Sequence, residues 1–280
     1  TDRQAYREQA SFIRKGAERT YNVQITVEES ETAEHSYVVT VDDITDLVTA
    51  QRSTAWADIA RRIAHEIKNP LTPIQLSAER IKRRFGKAIT EDKAIFDQCT
   101  DTIIRQVGDI GRMVDEFSAF ARMPKPVPVV LDIRLPLKEA AFLIEVSRPD
   151  ILIEKDVGKV PLLGMLDSRM IGQAFGNLIK NATEAIDGRE PELATESGHI
   201  LVKASIKSNT IIVDVIDNGK GLPRENRQRL LEPYMTTREK GTGLGLAMVR
   251  KTVEGHGGTI SLHDAPADFH GGVGANIRVT

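Results

Sequence analysis

The decapeptide AHEIKNPLTP, residues 64–73, sits inside a long amphipathic pattern, and its reading decides the fold. His65 and Asn69 are spaced i, i+4, so on a helix they share one face, about one turn apart. Glu66 follows directly, roughly 100° round the same helix. Pro70 cannot donate to the carbonyl of Glu66, nor Pro73 to that of Asn69. The pattern therefore predicts a helix that bends just past His65 and leaves carbonyls unpaired beside it. An imidazole, a carboxylate and an amide at such a place suit chemistry better than packing. A surface histidine beside ordinary helix charges is the plain alternative, and only motifs further along the chain separate the two.

Around this stretch Ile59, Ile63, Ile67, Leu71, Ile74, Ile81 and Phe85 recur close to i, i+4, i+7. Gly86 marks the break and Thr90 the expected N-cap of a second helix. That helix carries its own stripe: Ile95, Cys99, Ile103, Ile110, Val114, Phe117 and Ala121. Two long amphipathic helices joined by a short loop make an αα-hairpin. One hairpin cannot cover both of its stripes, so a symmetric homodimer forming a four-helix bundle is expected. Cys99 lies on the stripe and reads as a small core hydrophobe.

Upstream, residues 1–20 are charged and carry no clear pattern. YNVQITVE (21–28) and HSYVVTVDD (35–43) each read as a β-branched strand, joined as a hairpin. Such a hairpin is marginal alone, and it reads as the end of a larger sheet. Because the first residue is Thr1, the expectation is a fragment, with any membrane segment upstream. Downstream, PKPVPVV (124–130) is a stiff, extended hinge. Beyond it the patterns predict strands near 129–133, 150–154, 162–166, 199–206, 210–217, 258–264 and 273–279, with helices at 135–147, 168–186 and 243–255. Several helices with a mostly antiparallel sheet predict an α/β two-layer sandwich. The expected domains are thus 1–50, a β remnant with its exit helix; 51–123, the helical hairpin; and 124–280, the sandwich.

Composition narrows the function. A net charge of −2 over 280 residues supplies no field for nucleic acid or an acidic membrane. The single cysteine, Cys99, excludes a disulfide within the chain and fits a reducing compartment. No apolar run approaches the length of a membrane span, and no signal peptide is visible.

The sandwich carries four short motifs. In FGNLIKNA, Asn177 and Asn181 share a helix face, and their amide oxygens suit a hard cation held together with phosphates; Lys180 reaches phosphates as a point charge. VIDNGKGL ends a strand with Asp217, an acceptor for an exocyclic amine, followed by Gly219 and Gly221, which allow close approach of a ring. EPYMTTREKGTGLGL places Gly241, Gly243 and Gly245 before a helix, where backbone N–H groups bind phosphate. It lacks the context of a Rossmann fingerprint and the ending of a P-loop. Tyr234 precedes it in an expected lid, residues 222–240. Each motif alone also fits an ordinary turn or helix surface.

In order and spacing these segments resemble the nucleotide boxes of the GHKL (Bergerat) ATPase fold, and AHEIKNPLTP resembles the phosphoacceptor box of sensor histidine kinases. The segment DITDL, residues 43–47, resembles the Asp-Ile-Thr exit signature of PAS sensor domains. The wording AWADIARRIAHEIKNPLTPIQLSAERI, with CTDTIIRQV and MVDEFSAFARMPKP, looks like the NtrY-type nitrogen-regulation sensor kinases. The resemblance implies a multi-domain, membrane-anchored histidine kinase of a two-component system. Its cytoplasmic portion would use ATP and Mg²⁺, the metal on Asn181, and signal to the receiver domain of an NtrX-type response regulator. It extends the ATP site to Thr236, Thr237, Arg238, Lys240, Thr242 and Leu244, and gives Asn69 a role in dephosphorylating the regulator. Tyr234 and Met235 stand where the family usually has two phenylalanines, and Arg238 where it often has Lys. Hydrolytic relatives carry a Glu as base for water where this chain has Asn177. The expected reaction is transfer of the γ-phosphoryl of Mg-ATP to His65, with Glu66 taking the proton of the other ring nitrogen. The alternatives are an ATPase driving conformational change and a silent dimerisation scaffold.

Overall fold

The computed structural model describes residues 5–14, 17–29, 35–190, 196–236 and 241–280, which fall into two compact units, Thr1–Arg122 and Met123–Thr280.

The first unit opens with an antiparallel sheet in the order β1-β2-β3: β1 Ala5–Arg14, β2 Ala17–Glu29 and β3 His35–Asp43. The region without a sequence pattern is thus largely strand. Tyr6 and Phe12 are both exposed, so no alternation announces β1. Pairing creates it: Arg7 Nε donates to Gln24 Oε1 at 3.0 Å, and the Ser11 and Thr20 hydroxyls lie 3.1 Å apart. The exit from β3 is fixed by Asp43. It accepts the Thr45 amide at 3.1 Å and the Arg19 guanidinium at 2.7 Å. Those bonds, led by the Thr45 hydroxyl, hold its carboxyl below the usual range.

From there α1 runs from Thr45 to Phe85 without a break, through both Pro70 and Pro73. The Thr72 hydroxyl donates to the Lys68 carbonyl at 3.2 Å inside this stretch. After α1, Gly86 keeps helical dihedrals, and the residue that starts α2 (Lys93–Ala121) is Asp92 in the left-handed region, not Thr90. The hairpin covers only part of the predicted stripes: Val114 and Ala121 are buried and Leu71 and Phe117 half-buried. Thr100, Val107, Val114 and Ala121 are buried at seven-residue intervals, facing the small residues Ala64 and Ala78 of α1. Large residues of the stripes stay exposed: Ile59, Ile67, Ile74, Ile81, Ile95 and Ile103 are all 38–59% exposed. Cys99 is exposed as well. Lys68–Asp115 and Lys82–Asp101 ion pairs fix the register of the two helices.

The second unit contains β4 (Val129–Asp132), α3 (Arg134–Ser147), β5 (Ile151–Asp156), β6 (Leu163–Leu166), α4 (Ser168–Asp187), β7 (Gly198–Lys207), β8 (Thr210–Asp217), α5 (Gly245–Gly255), β9 (Ile260–Asp264) and β10 (Ala275–Val279). The five-stranded sheet has the order β5-β7-β8-β10-β9, parallel only between β5 and β7, and β4 pairs with β6 apart from it. On one face lies α4, whose Ile171, Phe175, Leu178, Ile179 and Ile186 are buried with Val202, Val213 and Val215 of the sheet. The stripe has helical spacing, and burying each such side chain contributes about 1.5–3 kcal/mol. The opposite face carries a small apolar cluster of Ile216, Ala265 and Phe269 and, beside it, a polar row. Asp156, Lys203, Asp214 and Arg278 lie in register across four strands; Lys203 pairs with Asp156 at 3.5 Å and Arg278 with Asp214 at 2.8 Å. This is the predicted two-layer sandwich. Among the described residues no helix is long and apolar enough to cross a membrane.

Candidate functional site

His65, Glu66 and Asn69 are all exposed on α1. Adjacent helical residues diverge by about 100°, and Glu66 accepts a hydrogen bond from Arg62 Nε at 3.0 Å, one turn back. The Lys68–Asp115 pair anchors the stretch between Glu66 and Asn69 to α2. No hydrogen bond of the Asn69 side chain occurs among the described residues, so it does not cap the carbonyls that the prolines leave.

In the second unit α4 and the end of β8 come together. Asp217 is 3% exposed, and its Oδ1 accepts the Gly219 amide at 2.9 Å. A Cβ on Gly219 would stand 2.6 Å from the main-chain carbon of Ala185 on α4, so only glycine lets the strand end tuck there. The Lys220 amide, donating to the Ala185 carbonyl at 3.0 Å, completes the contact. Gly221 turns the chain away with φ of +75°. On α4, Asn177 is half-buried and its Nδ2 is buried without a hydrogen-bond partner among the described residues. Half-buried Asn181 lies about one turn further on, its side-chain oxygen 3.7 Å from where a Cβ on Gly245 would be. The start of α5 is thereby set against Asn181. Lys180 is exposed, 3.8 Å from Glu184.

The glycine loop closes the arrangement. Gly243 has φ of +70°, and a Cβ there would stand 2.6 Å from the main chain of Tyr234. Leu244 is fully buried behind it, its amide donating to Thr242 Oγ1 at 3.3 Å. Tyr234 itself adopts φ of +65° and is 58% exposed, so it presents backbone rather than ring to the loop. Gly241 is half-buried and Thr236 exposed. Thr237, Arg238 and Lys240 lie outside the described residues. The structure thus sets Gly219 at the end of β8 against α4, Gly245 beside Asn181 of α4, and Gly243 against the main chain of Tyr234.

Two neighbours escaped the sequence reading. Asn218, 2% exposed, accepts the His199 amide at 2.8 Å and donates to the Ser197 carbonyl at 2.9 Å, clamping the start of β7 to the end of β8. Its signal was its place beside Asp217 in an Asp-Asn-Gly turn. Gly274, which backs Asp217 from just before β10, left no local signal.

Residues 55–126 match the family model for the His Kinase A (phospho-acceptor) domain, and residues 166–280 that for the histidine kinase-, DNA gyrase B- and HSP90-like ATPase. The chain is 57% identical over 270 residues to nitrogen regulation protein NtrY of Azorhizobium caulinodans, covering 96% of this chain and 34% of that protein. It is 40% identical over 223 residues to a putative NtrY-like sensor histidine kinase of Rickettsia conorii, covering 80% of this chain and 36% of that one. The chain therefore spans about a third of the length of these relatives. The histidine kinase ThkA, solved in complex with response regulator protein TrrA, has the same fold, with a TM-score of 0.56 and 22% identity over 97% of this chain and 77% of that one. With the phospho-acceptor and ATPase models matched in series, and NtrY relatives similar through both, the chain belongs to the sensor histidine kinases of the NtrY type.

Proposed function

We propose that this protein transfers the γ-phosphoryl group of Mg-ATP to His65 and passes it on to an aspartate of a response-regulator receiver domain of NtrX type. The observation that carries the proposal is the exposed imidazole of His65 on a phospho-acceptor hairpin, in one chain with an ATPase fold whose position for a water-activating base is Asn177. An amide cannot accept a proton from water, so the pocket protects ATP until a protein nucleophile arrives.

The residues fit the nucleotide. The buried Asp217 carboxylate supplies an acceptor for the adenine amine, and Gly219, where a Cβ would strike the Ala185 main chain, lets that strand end seat on α4. The Nδ2 of Asn177 is a buried donor awaiting an acceptor. Asn181 offers the oxygen that a Mg²⁺ shared with phosphates requires. When bound, such an ion would supply positive charge to offset that of the phosphates. Lys180, Lys240 and the amides of Gly241–Gly245 hold phosphate oxygens. His65 attacks through an unprotonated ring nitrogen. Glu66 turns from Arg62 to accept the hydrogen of the other nitrogen as the ring gains positive character.

Several further assignments belong to this reading. Residues 1–50 form the end of a PAS domain with its exit helix, 51–123 the dimerisation and phosphotransfer hairpin, and 124–280 the catalytic domain. The exposed isoleucines of the hairpin support a homodimer closing a four-helix bundle. Asn69 serves regulator dephosphorylation. Attachment to the inner membrane follows from the family resemblance.

Incubation with γ-labelled ATP tests the central step. The label is expected on wild type, lost in acid and stable in base, and absent from His65→Gln although that variant still binds ATP. Label persisting in His65→Gln overturns the assignment. Steady hydrolysis over many turnovers without label points to the conformational ATPase instead.

A further inference from the structure

The hinge of the second unit is bolted to the far end of the helix that begins at the nucleotide loop. Val127, inside Pro124–Pro128, donates its amide to Asp167 Oδ2 at 3.1 Å. Asp167 is the N-cap of α4; its Oδ1 accepts the Met170 amide, also at 3.1 Å, and the residue is 9% exposed. Its own amide donates to His256 Nε2 at 2.9 Å. His256 follows the last residue of α5, and its Nδ1 lies 2.8 Å from the Thr252 carbonyl. A carbonyl only accepts, so Nδ1 carries the hydrogen and Nε2 is the acceptor. Both ring nitrogens are thus committed to backbone groups of two different helices.

Two further contacts seat the hinge on α5. The Thr252 hydroxyl, on a residue 3% exposed, lies 3.8 Å from Met123 Sδ. A Cβ on Gly255 would stand 3.2 Å from the ring of Pro126. At its other end α5 starts with Gly245 against Asn181, behind the buried Leu244. One helix of 11 residues therefore touches the nucleotide loop with its first residue and the hinge with its last turn.

We propose that His256 is a positioning residue which, through Asp167, latches the hinge Met123–Val127 onto the C-terminal end of α5, so that nucleotide bound at the other end of α5 tightens the hinge. The hinge is the segment through which the phospho-acceptor hairpin continues into the catalytic unit. Releasing it lengthens the tether between His65 and ATP without altering either. Effective concentration falls roughly as the −3/2 power of tether length, so freeing these residues should slow transfer by about two- to fivefold.

The test uses the whole chain. In wild type, amide exchange at Val127 should slow by about threefold or more when Mg-ADP binds, because the Asp167 bond is then held more tightly. His256→Leu, which offers Asp167 no acceptor, should abolish that protection. It should lower the autophosphorylation rate at saturating ATP about two- to fivefold while the KM for ATP stays within twofold. His256→Gln, which keeps an acceptor near the Nε2 position, should restore most of both. Val127→Pro removes the hinge amide without touching α4 or α5, and should lower the rate in the same way, so the proposal does not depend on the folding of one variant. Exchange at Val127 indifferent to Mg-ADP, or a His256→Leu variant whose KM changes as much as its rate, overturns the latch. The rate readout rests on the phosphotransfer reading, whereas the exchange readout needs only nucleotide binding. A protein that never labels His65 would sink that reading and leave the exchange result to judge the latch.

Discussion

Gly274 lies directly against the carbonyl of Asp217: a Cβ on Gly274 would stand 1.8 Å from that oxygen, and its φ is +115°. The residue assigned to adenine is thus backed at the end of β8 by a residue just before β10 that tolerates no side chain. Gly274→Ala must push β8 and β10 apart or strain the backbone, and no flexible group is there to give way. We expect a loss of about 2 kcal/mol or more in stability and weaker nucleotide binding, read by thermal unfolding with and without ADP. An unchanged melting temperature would show that the two strands separate freely.

Asp217→Asn and Asn181→Asp should fail differently. The first exchanges a pure acceptor, already bonded to the Gly219 amide, for a group that also presents a donor to adenine. A lost charge-assisted hydrogen bond corresponds to about 1.5–3 kcal/mol, roughly 10- to 150-fold in affinity, with or without Mg²⁺. The second adds negative charge beside the phosphates and should chiefly shift the Mg²⁺ dependence. Titration calorimetry at two Mg²⁺ concentrations separates them, and equal affinity for wild type and Asp217→Asn would remove the adenine role.

Asp132 is expected to make the second unit acid-sensitive. The Arg134 guanidinium grips its carboxylate through three hydrogen bonds of 2.6–3.0 Å, and the Leu162 and Arg134 amides add to them. Its carboxyl is pulled down to about 2, chiefly by Arg134, from the ordinary 3.8. The folded pKa is depressed, so the stabilisation is present in full above the unfolded value and disappears as pH falls from about 4 through 2. Asp132→Asn should melt below wild type at pH 7 and converge on it near pH 2. Parallel melting curves across that range would show that Asp132 contributes nothing through its charge.

Asn69→Ala should spare autophosphorylation and remove most of the regulator phosphatase activity. The amide is exposed and capable of orienting a water, and alignment alone supplies several kcal/mol of a barrier. Because its side chain bonds nothing among the described residues, the stability change should stay within about 0.5 kcal/mol. Both activities measured on one preparation decide it: a parallel loss sinks the phosphatase role.

The outward isoleucines give a prediction of assembly. Ile74, Ile81 and Ile103 line one apolar groove with Pro73 and Ala78. Placing charge there, as in Ile74→Glu or Ile103→Lys, should convert a dimer to a monomer in sedimentation equilibrium without unfolding the second unit. A variant that remains dimeric would place the homodimer contact elsewhere.

Much of this protein was determined by sequence alone. Among the described residues, each α-helix and strand of the second unit follows from local pattern, though not the 3-10 helices Arg227–Leu231 and His270–Gly272, because Ile171, Phe175, Leu178 and Ile179 bury against one sheet face and spacing encodes a face directly. The order of His65, Asn177, Asp217 and the glycine loop also marks the family, since each motif combines residue types with a fixed local geometry. Tertiary structure decided the rest, where the cause lies far along the chain. β1 exists through pairing with β2, not through a pattern of its own. How much of each stripe the hairpin covers depended on steric fit: Ala64, Ala78, Val114 and Ala121 are buried, while the isoleucines stay exposed. Gly274 behind Asp217, Asn218 across the start of β7, and His256 between α4 and the hinge make contacts spanning up to 89 residues. Periodicity reports which side of an element is buried, whereas contact between distant backbones is settled only when the chain closes on itself.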